Sequence, residues 1–198
     1  MTELAQQHVG DILLHAFEHS AAAGHAALIV FDVRCDLAMA LTAAYQRCLP
    51  HARLINFDAV AAEDVLAAFA LLAPSDLVVL IQSTNFRLEA FRIRVELFKR
   101  ELKVIEHPHL SRMPGAQALY YIASLAYDPA YYRGVGSALK SRIDRAQCGV
   151  VDSGGERLVF ASPFESAKLN VGDYREMKNA GGQFPIGEVF TEAKDLEA

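Results

Sequence analysis

Cysteine is scarce in this chain, and the sequence has neither a long apolar run nor an excess of positive charge. The three cysteines, Cys35, Cys48 and Cys148, have no CxxC spacing, which argues against a disulfide framework or a zinc ribbon and favours a reducing compartment. No apolar stretch is long enough to cross a bilayer. The amphipathic N-terminus lacks the basic region and apolar run of a signal peptide. We therefore expect a cytoplasmic protein that is not inserted in a membrane.

The charge and composition of the chain limit its partners and its class. The formal net charge is −5, whereas binding to nucleic acid phosphates requires a cationic face. Nucleic acid is therefore not expected as a partner. Hydrophobic residues make up 53% of the 198 residues and charged residues 22%, a composition that builds a packed core. The length allows one good-sized domain, or one domain with an appendage.

Apolar runs alternate with amphipathic segments through the first 110 residues or so. The runs are predicted to be strands buried on both faces, and the segments between them helices. Strand–helix alternation of this kind indicates an α/β fold with a doubly wound, mostly parallel sheet flanked by helices. One of the helices is expected to be lined by Leu88, Phe91, Val95 and Phe98. The four predicted strands span residues 27–33, 53–57, 76–82 and 103–106.

The pattern changes after residue 110. Residues 115–125 and 131–145 are predicted to be helices, and residues 149–161 a β-hairpin turning at Ser-Gly-Gly-Glu. The remaining tail is rich in Gly, Pro and Asn, and such a segment is expected to be held by a partner surface or by the rest of a protein. We therefore predict an α/β N-terminal domain over residues 1–162. Residues 163–198 are predicted to be the start of a metal-binding catalytic domain, or a linker into it.

Three patterns could mark a site by their spacing alone. The sequence His-x-x-Glu-His at residues 15–19 would place His15 and His19 on one face of a helix, where they could share a zinc ion with Glu18 as the base. The alternative is two exposed histidines on the polar side of the helix. The pair His107 and His109 could bind a metal or be plain surface.

A glycine pair gives the third pattern. Gly182 and Gly187 have the GxxxxG spacing of a phosphate-binding loop, but Glu188 and Val189 replace its Lys-Ser/Thr pair. No GxGxxG follows the first predicted strand. A nucleotide site of either standard kind is therefore not expected.

The sequence GGQFPIGEVFTEA, residues 181–193, carries the most specific signal. It resembles the first metal-ligand motif of the leucyl aminopeptidase/aminopeptidase T family of metallopeptidases, of the thermophilic metalloaminopeptidase type. In that family a proline precedes a small or acidic residue and then Glu-Val-Phe/Tyr-Thr. Here these positions are Pro185, Gly187 and residues 188–191. Typical members have Asn two residues before the proline, where this chain has Gln183, a departure that would mark a divergent subgroup.

The resemblance extends upstream of this motif. Tyr132, Leu139–Lys140 and Ile143–Asp144 resemble the helix that precedes a hairpin in the family, and residues 149–160 resemble its strand, glycine turn and strand. The specific part covers residues 131–192, a third of the chain. The α/β part before it agrees with the family only in fold class.

The resemblance implies a cytoplasmic, homodimeric, two-domain aminopeptidase that removes N-terminal residues from peptides with two divalent ions, Zn, Co or Mn. Glu188 would be the first protein ligand of these ions. The family's other ligands (a second Glu, two His, a Tyr and an Asp) lie well downstream and have no counterpart in these residues. We therefore expect the 198 residues to be the N-terminal portion of the enzyme, inactive and without stably bound metal by themselves.

Two other functions stay open from the sequence. Ring-cleaving 2,5-dihydroxypyridine dioxygenases resemble the family in fold and use one iron held by His and Asp, although a glutamate in the Glu-Val-Phe motif favours the peptidase. The α/β layer could also serve as a non-catalytic assembly or recognition module.

Overall fold

A computed structural model describes residues 2–19, 24–86 and 93–194. The chain divides into two compact units, which are described separately. Unit one comprises Met1–Tyr127 and Gly172–Ile186, and unit two comprises Asp128–Val171 and Gly187–Ala198. The predicted division at residue 162 concerns the organisation of a longer protein and stays a prediction.

Unit one is an α/β structure around a five-stranded sheet in which every neighbouring pair is parallel. The strands are β1 (Ala27–Phe31), β2 (Arg53–Asn56), β3 (Leu77–Ile81), β4 (Lys103–His107) and β8 (Gly181–Gln183). Their order in the sheet is β2-β1-β3-β4-β8. The helices are α1 (Thr2–His15), α2 (Asp36–Cys48), α3 (Ala62–Ala70), α4 (Ile93–Lys99) and α5 (Ala116–Ser124), with a 3-10 turn at Leu110–Arg112.

Helices cover both faces of this sheet, so the predicted α/β class with its flanked parallel sheet is confirmed. Successive side chains of a strand point to opposite faces. Val30, Leu80 and Val104 therefore share one face, where they pack against α3 and α4 through residues such as Phe69 and Leu97. The opposite face carries α2 and α5, whose tyrosines contact the last residue of β4. The predicted helix residues Leu88 and Phe91 lie outside the described residues.

The fifth strand was not expected, because β8 comes from the Gly- and Pro-rich tail. Its three residues pair in parallel with β4, from Val104↔Gly181 to Glu106↔Gln183. Gly181 has φ 137°, and a Cβ atom there would lie 1.8 Å from the carbonyl oxygen of Val104. Only glycine permits so close an approach of two backbones. The tail is therefore held in part by the sheet of unit one.

Unit two consists of one long helix and two small antiparallel sheets. Asp128 caps the helix, since its Oδ1 accepts hydrogen bonds from the amides of Ala130 and Tyr131 at 2.9 and 3.1 Å. The predicted hairpin is confirmed, with Gly149 opposite Phe160. The elements are α6 (Pro129–Arg145), the hairpin β5 (Gly149–Asp152) and β6 (Arg157–Phe160), and the ribbon β7 (Lys168–Asn170) and β9 (Glu188–Phe190).

Among the residues that the structure describes, no helix combines the length and the apolar character that crossing a membrane requires.

Candidate metal-ligand site

Glu188 is the first residue of β9 and lies directly opposite Asn170 of β7. Its carboxylate is exposed, and its Oε2 accepts a hydrogen bond from Asn170 Nδ2 at 3.2 Å. A carboxylate is a good ligand for hard and borderline divalent cations. The predicted ligand is therefore accessible, and one of its two oxygens has a protein partner.

The backbone just before Glu188 has a conformation that requires glycine. Gly187 has φ 132°, which side-chain-bearing residues rarely adopt. A Cβ atom at this position would also lie 2.9 Å from Cε1 of Tyr132, a residue of α6. The ring of Tyr132 and the absence of a side chain at Gly187 therefore set where β9 begins.

The start of the partner strand β7 is held by two side chains of α6. Lys140 Nζ donates to the carbonyl oxygen of Ala167 at 2.6 Å and to Ser166 Oγ at 2.9 Å. Asp144 Oδ1 accepts from the amide of Ala167 at 2.7 Å. The hydrogen bond from Lys140, followed by that from Ala167, lowers the pKa of Asp144 below its ordinary value. Helix and ribbon are thus joined immediately before β7.

One face of the ribbon carries four side chains of different chemistry. Residues two apart in a strand share a face, as do directly opposed residues, so Lys168 and Phe190 lie on the same face as Asn170 and Glu188. Lys168 Nζ lies 3.3 Å from Glu192 Oε1 and 5.9 Å from the centre of the Phe190 ring. The face therefore combines an exposed carboxylate, an amide, an ammonium group and an aromatic ring.

Most of the residues that carry the family resemblance lie in unit two. Tyr132 lies against Gly187, and Lys140 and Asp144 hold the strand that pairs with Glu188. Pro185, the other motif residue, belongs to unit one. The sequence alone did not predict that these separated segments would support one short ribbon.

The zinc-site interpretation of His-x-x-Glu-His at residues 15–19 does not fit the structure. Helix α1 ends at His15, and Glu18 has φ 53° in the left-handed region. The amide of His19 donates to the carbonyl of Leu13 at 3.0 Å, which closes the helix end. Two imidazoles share a helix face only if the helix continues through both residues. His19 lies beyond the end of α1, so the four-residue spacing does not place it on the same face as His15. Burial, followed by the charges of His25 and Lys103, lowers the pKa of His19.

Neither reading of His107 holds, because its side chain is fully buried and both ring nitrogens are hydrogen-bonded. Nε2 lies 2.7 Å from Tyr45 Oη, and Nδ1 lies 2.8 Å from Tyr121 Oη. Tyr121 donates its own proton to the carbonyl of Phe184 at 2.7 Å, so Nδ1 of His107 must carry the hydrogen. Burial lowers the pKa of His107 to about 3. His107 is therefore a neutral structural residue.

His109 and the pair Gly182 and Gly187 lie in local structures that differ from those their sequence patterns suggested. His109 has φ 59° and precedes the 3-10 turn, two residues beyond the end of β4. Gly182 lies within β8, whereas Gly187 directly precedes β9. The glycine spacing therefore does not lead from a strand through a loop into a helix, as a phosphate-binding loop would.

A polar cluster at the carboxyl ends of β1 and β3 was missed. Asp32 is fully buried, and its Oδ2 accepts from the amide of Ser83 at 2.7 Å, while its Oδ1 accepts from the Ser83 hydroxyl and from the amide of Arg34. Cys35 Sγ lies 3.0 Å from Ser83 Oγ. The available signal was an acidic or hydroxyl residue just after each apolar run, because parallel strands that end at one edge bring such residues together.

Within residues 2–19, 24–86 and 93–194, no three His, Cys, Asp or Glu side chains come together in a group that could hold a metal ion. Glu188 is therefore a single candidate ligand rather than a complete site. Searches against protein-family models, curated proteins and solved structures found no match for this chain.

Proposed function

We propose that this chain is the N-terminal portion of a metal-dependent aminopeptidase that removes N-terminal residues from peptides. Glu188 is the first protein ligand of a pair of divalent ions, Zn, Co or Mn. The complete enzyme is a cytoplasmic homodimer, and these residues alone are inactive and hold no metal stably.

The observation that carries the proposal is the framework around Glu188. Tyr132, Lys140 and Asp144 belong to the segment whose sequence resembles the metallopeptidase family. All three bear on the ribbon that presents Glu188: Tyr132 lies against Gly187, and the other two hold Ala167. These three residues lie at spacings of eight and four along α6, so one face of the helix supports the ribbon.

Glu188 can supply one ligand to a metal ion, but it does not form a complete metal site. Its carboxylate is exposed, negatively charged and at the start of a short paired strand. Two ions need several more oxygen or nitrogen ligands, which the described residues do not group together. A pair of divalent ions held there would supply polarisation of the scissile carbonyl and activation of a water molecule. In the proposal, the other ligands come from polypeptide outside this chain.

Unit two also has apolar surface that further polypeptide would cover. Val150, Val151, Leu158 and Val159 of the hairpin are each between 52% and 58% exposed. Gly136 is the only buried residue within α6. Small units rarely leave so much apolar surface in water unless another domain or subunit packs on it.

Glu188→Gln in the complete natural protein tests the proposal. Glutamine keeps the size of the side chain but loses its negative charge, so the two divalent metal ions should bind less tightly. The matched control is Glu192→Gln, which removes an exposed carboxylate from the same segment. Metal content is measured by mass spectrometry, and hydrolysis of leucine p-nitroanilide is followed with Co²⁺, Zn²⁺ or Mn²⁺ added.

We expect two ions per chain in the wild type and in Glu192→Gln, and fewer than two in Glu188→Gln with activity reduced about a hundredfold or more. Two retained ions and full activity in Glu188→Gln would show that the assignment is wrong. A single iron in the wild type would favour the ring-cleaving dioxygenases. A protein without metal would favour a non-catalytic module.

A further inference from the structure

The hydrogen bond between Asn170 and Glu188 joins two directly opposed residues of the ribbon. Its donor is the side-chain amide Nδ2 and its acceptor is Oε2, with 3.2 Å between them and 18 residues of chain between their positions. Side chains at such positions have Cβ atoms about 5 Å apart, so a short amide reaches the nearer carboxylate oxygen. The contact therefore follows from the strand register.

An exposed glutamate needs a partner of this kind to act as a ligand with a fixed direction. Holding a free Glu side chain in one rotamer costs conformational entropy. A hydrogen bond to one oxygen meets part of that cost before any ion arrives. In metal sites, outer partners of this type orient the ligating side chain and raise affinity.

The partner is an uncharged amide, which matters for binding a cation. A lysine or arginine at this position would neutralise the carboxylate and compete with the ion. The cation on the same strand and face, Lys168, bonds instead with Glu192 and lies over the ring of Phe190. The negative charge of Glu188 is thus oriented by Asn170 without being cancelled.

We propose that Asn170 is the positioning residue of the Glu188 ligand: its amide holds Oε2 and leaves Oε1 for the ion. This inference rests on the proposed function, since it presumes that Glu188 binds metal. It adds a residue that the family motif around Glu188 does not include, and it assigns different tasks to the two carboxylate oxygens.

The test is a double-mutant cycle in the complete natural protein, read out as the dissociation constant for Co²⁺ by titration calorimetry. Asn170→Leu removes the amide but keeps the branched shape, and Asn170→Gln keeps an amide on a longer arm. Each substitution at residue 170 is made in the wild type and in Glu188→Gln. Lys168→Met, on the same strand and face, is the matched control.

We expect Asn170→Leu to weaken Co²⁺ binding by about 10–100-fold in the wild type, and by much less in Glu188→Gln, where the carboxylate is already absent. Asn170→Gln should recover part of the loss, and Lys168→Met should leave affinity nearly unchanged. Damage to the fold would weaken binding equally in both backgrounds, so the cycle separates it from positioning.

Two outcomes separate the inference from the proposed function. If Glu188→Gln weakens Co²⁺ binding but Asn170→Leu has the same effect in both backgrounds, or none, Asn170 is not a positioning residue and the function stands. If Glu188→Gln leaves Co²⁺ binding unchanged, the proposed function itself is wrong and the inference is lost with it.

Discussion

Lowering the pH from 7.5 to 5.0 should destabilise this protein through His107. In the folded chain this imidazole is buried and neutral, with a pKa of about 3, against 6.5 when unfolded. Its neighbours Tyr45, Tyr121 and Phe184 carry no charge that would stabilise an imidazolium. At pH 5.0 His107 is therefore protonated in the unfolded state but neutral in the folded state.

The sign and size of the effect follow from this difference. Above pH 6.5 both states hold a neutral His107, and stability is complete. As the pH falls below 6.5 the unfolded chain takes up a proton, so stability declines until the folded pKa is reached. The loss from this residue is about 2 kcal/mol at pH 5.0, and it approaches about 4–5 kcal/mol near pH 3, at about 1.4 kcal/mol for each tenfold change in proton affinity.

Urea denaturation followed by far-ultraviolet circular dichroism measures the free energy of unfolding at the two pH values. His107→Gln is the comparison, since glutamine can hydrogen-bond but does not titrate. The other histidines, including His19 with its lowered pKa, are common to both proteins and cancel. The fall in stability between pH 7.5 and 5.0 should be about 2 kcal/mol smaller in the variant.

Two results would refute this reasoning. One is an equal pH dependence in the wild type and His107→Gln. The other is a nitrogen-15 NMR titration in which the imidazole of His107 in the folded wild type titrates near pH 6.5. The same spectrum should show the hydrogen on Nδ1, because Tyr121 donates its own proton to the carbonyl of Phe184.

Two further substitutions in unit one, Gly181→Ala and Asp32→Ala, each have a control substitution. Gly181→Ala should cost roughly 3 kcal/mol or more in the free energy of unfolding, because its Cβ would overlap the β4 backbone. Gly134→Ala in α6 is its control: a Cβ there meets nothing within 4 Å, so this substitution should be neutral or stabilising by up to about 1 kcal/mol. Asp32→Ala should cost about 2–4 kcal/mol by leaving the buried amide of Ser83 without its acceptor. Asp58→Ala is its control and should cost about 1 kcal/mol or less, because the Asp58 carboxylate pairs with the exposed guanidinium of Arg34. Equal urea midpoints within either pair would contradict the assigned contacts.

Much of the α/β layer could be predicted because its signals are local. Residues 27–33 and 76–82 were predicted as strands from continuous apolar runs, and β1 and β3 occupy Ala27–Phe31 and Leu77–Ile81. A strand buried on both faces needs such a run wherever it occurs. The hairpin at Gly149 was equally local, since two short strands and a glycine turn suffice.

The errors have two physical causes, a helix end that no residue signals and contacts between residues that are distant in the chain. Helix α1 ends at His15 without a glycine to signal it, because backbone bonds around Glu18 close its end. The residues Gly181–Gln183 have no strand propensity and become β8 only beside the free edge of β4. His107 follows an apolar run and looked like a loop residue, but α2 and α5 enclose it.

In the candidate site, too, some features depend on neighbouring residues and others on contacts between distant parts of the chain. The sequence by itself determined the α/β class and singled out Glu188, because apolar periodicity and a short motif are properties of neighbouring residues. Tertiary structure alone decided that Asn170 would hold Glu188 and that Tyr45 would meet His107, across 18 and 62 residues of chain. Such pairs depend on strand register and helix packing, which form only when the whole chain has buried its apolar surface.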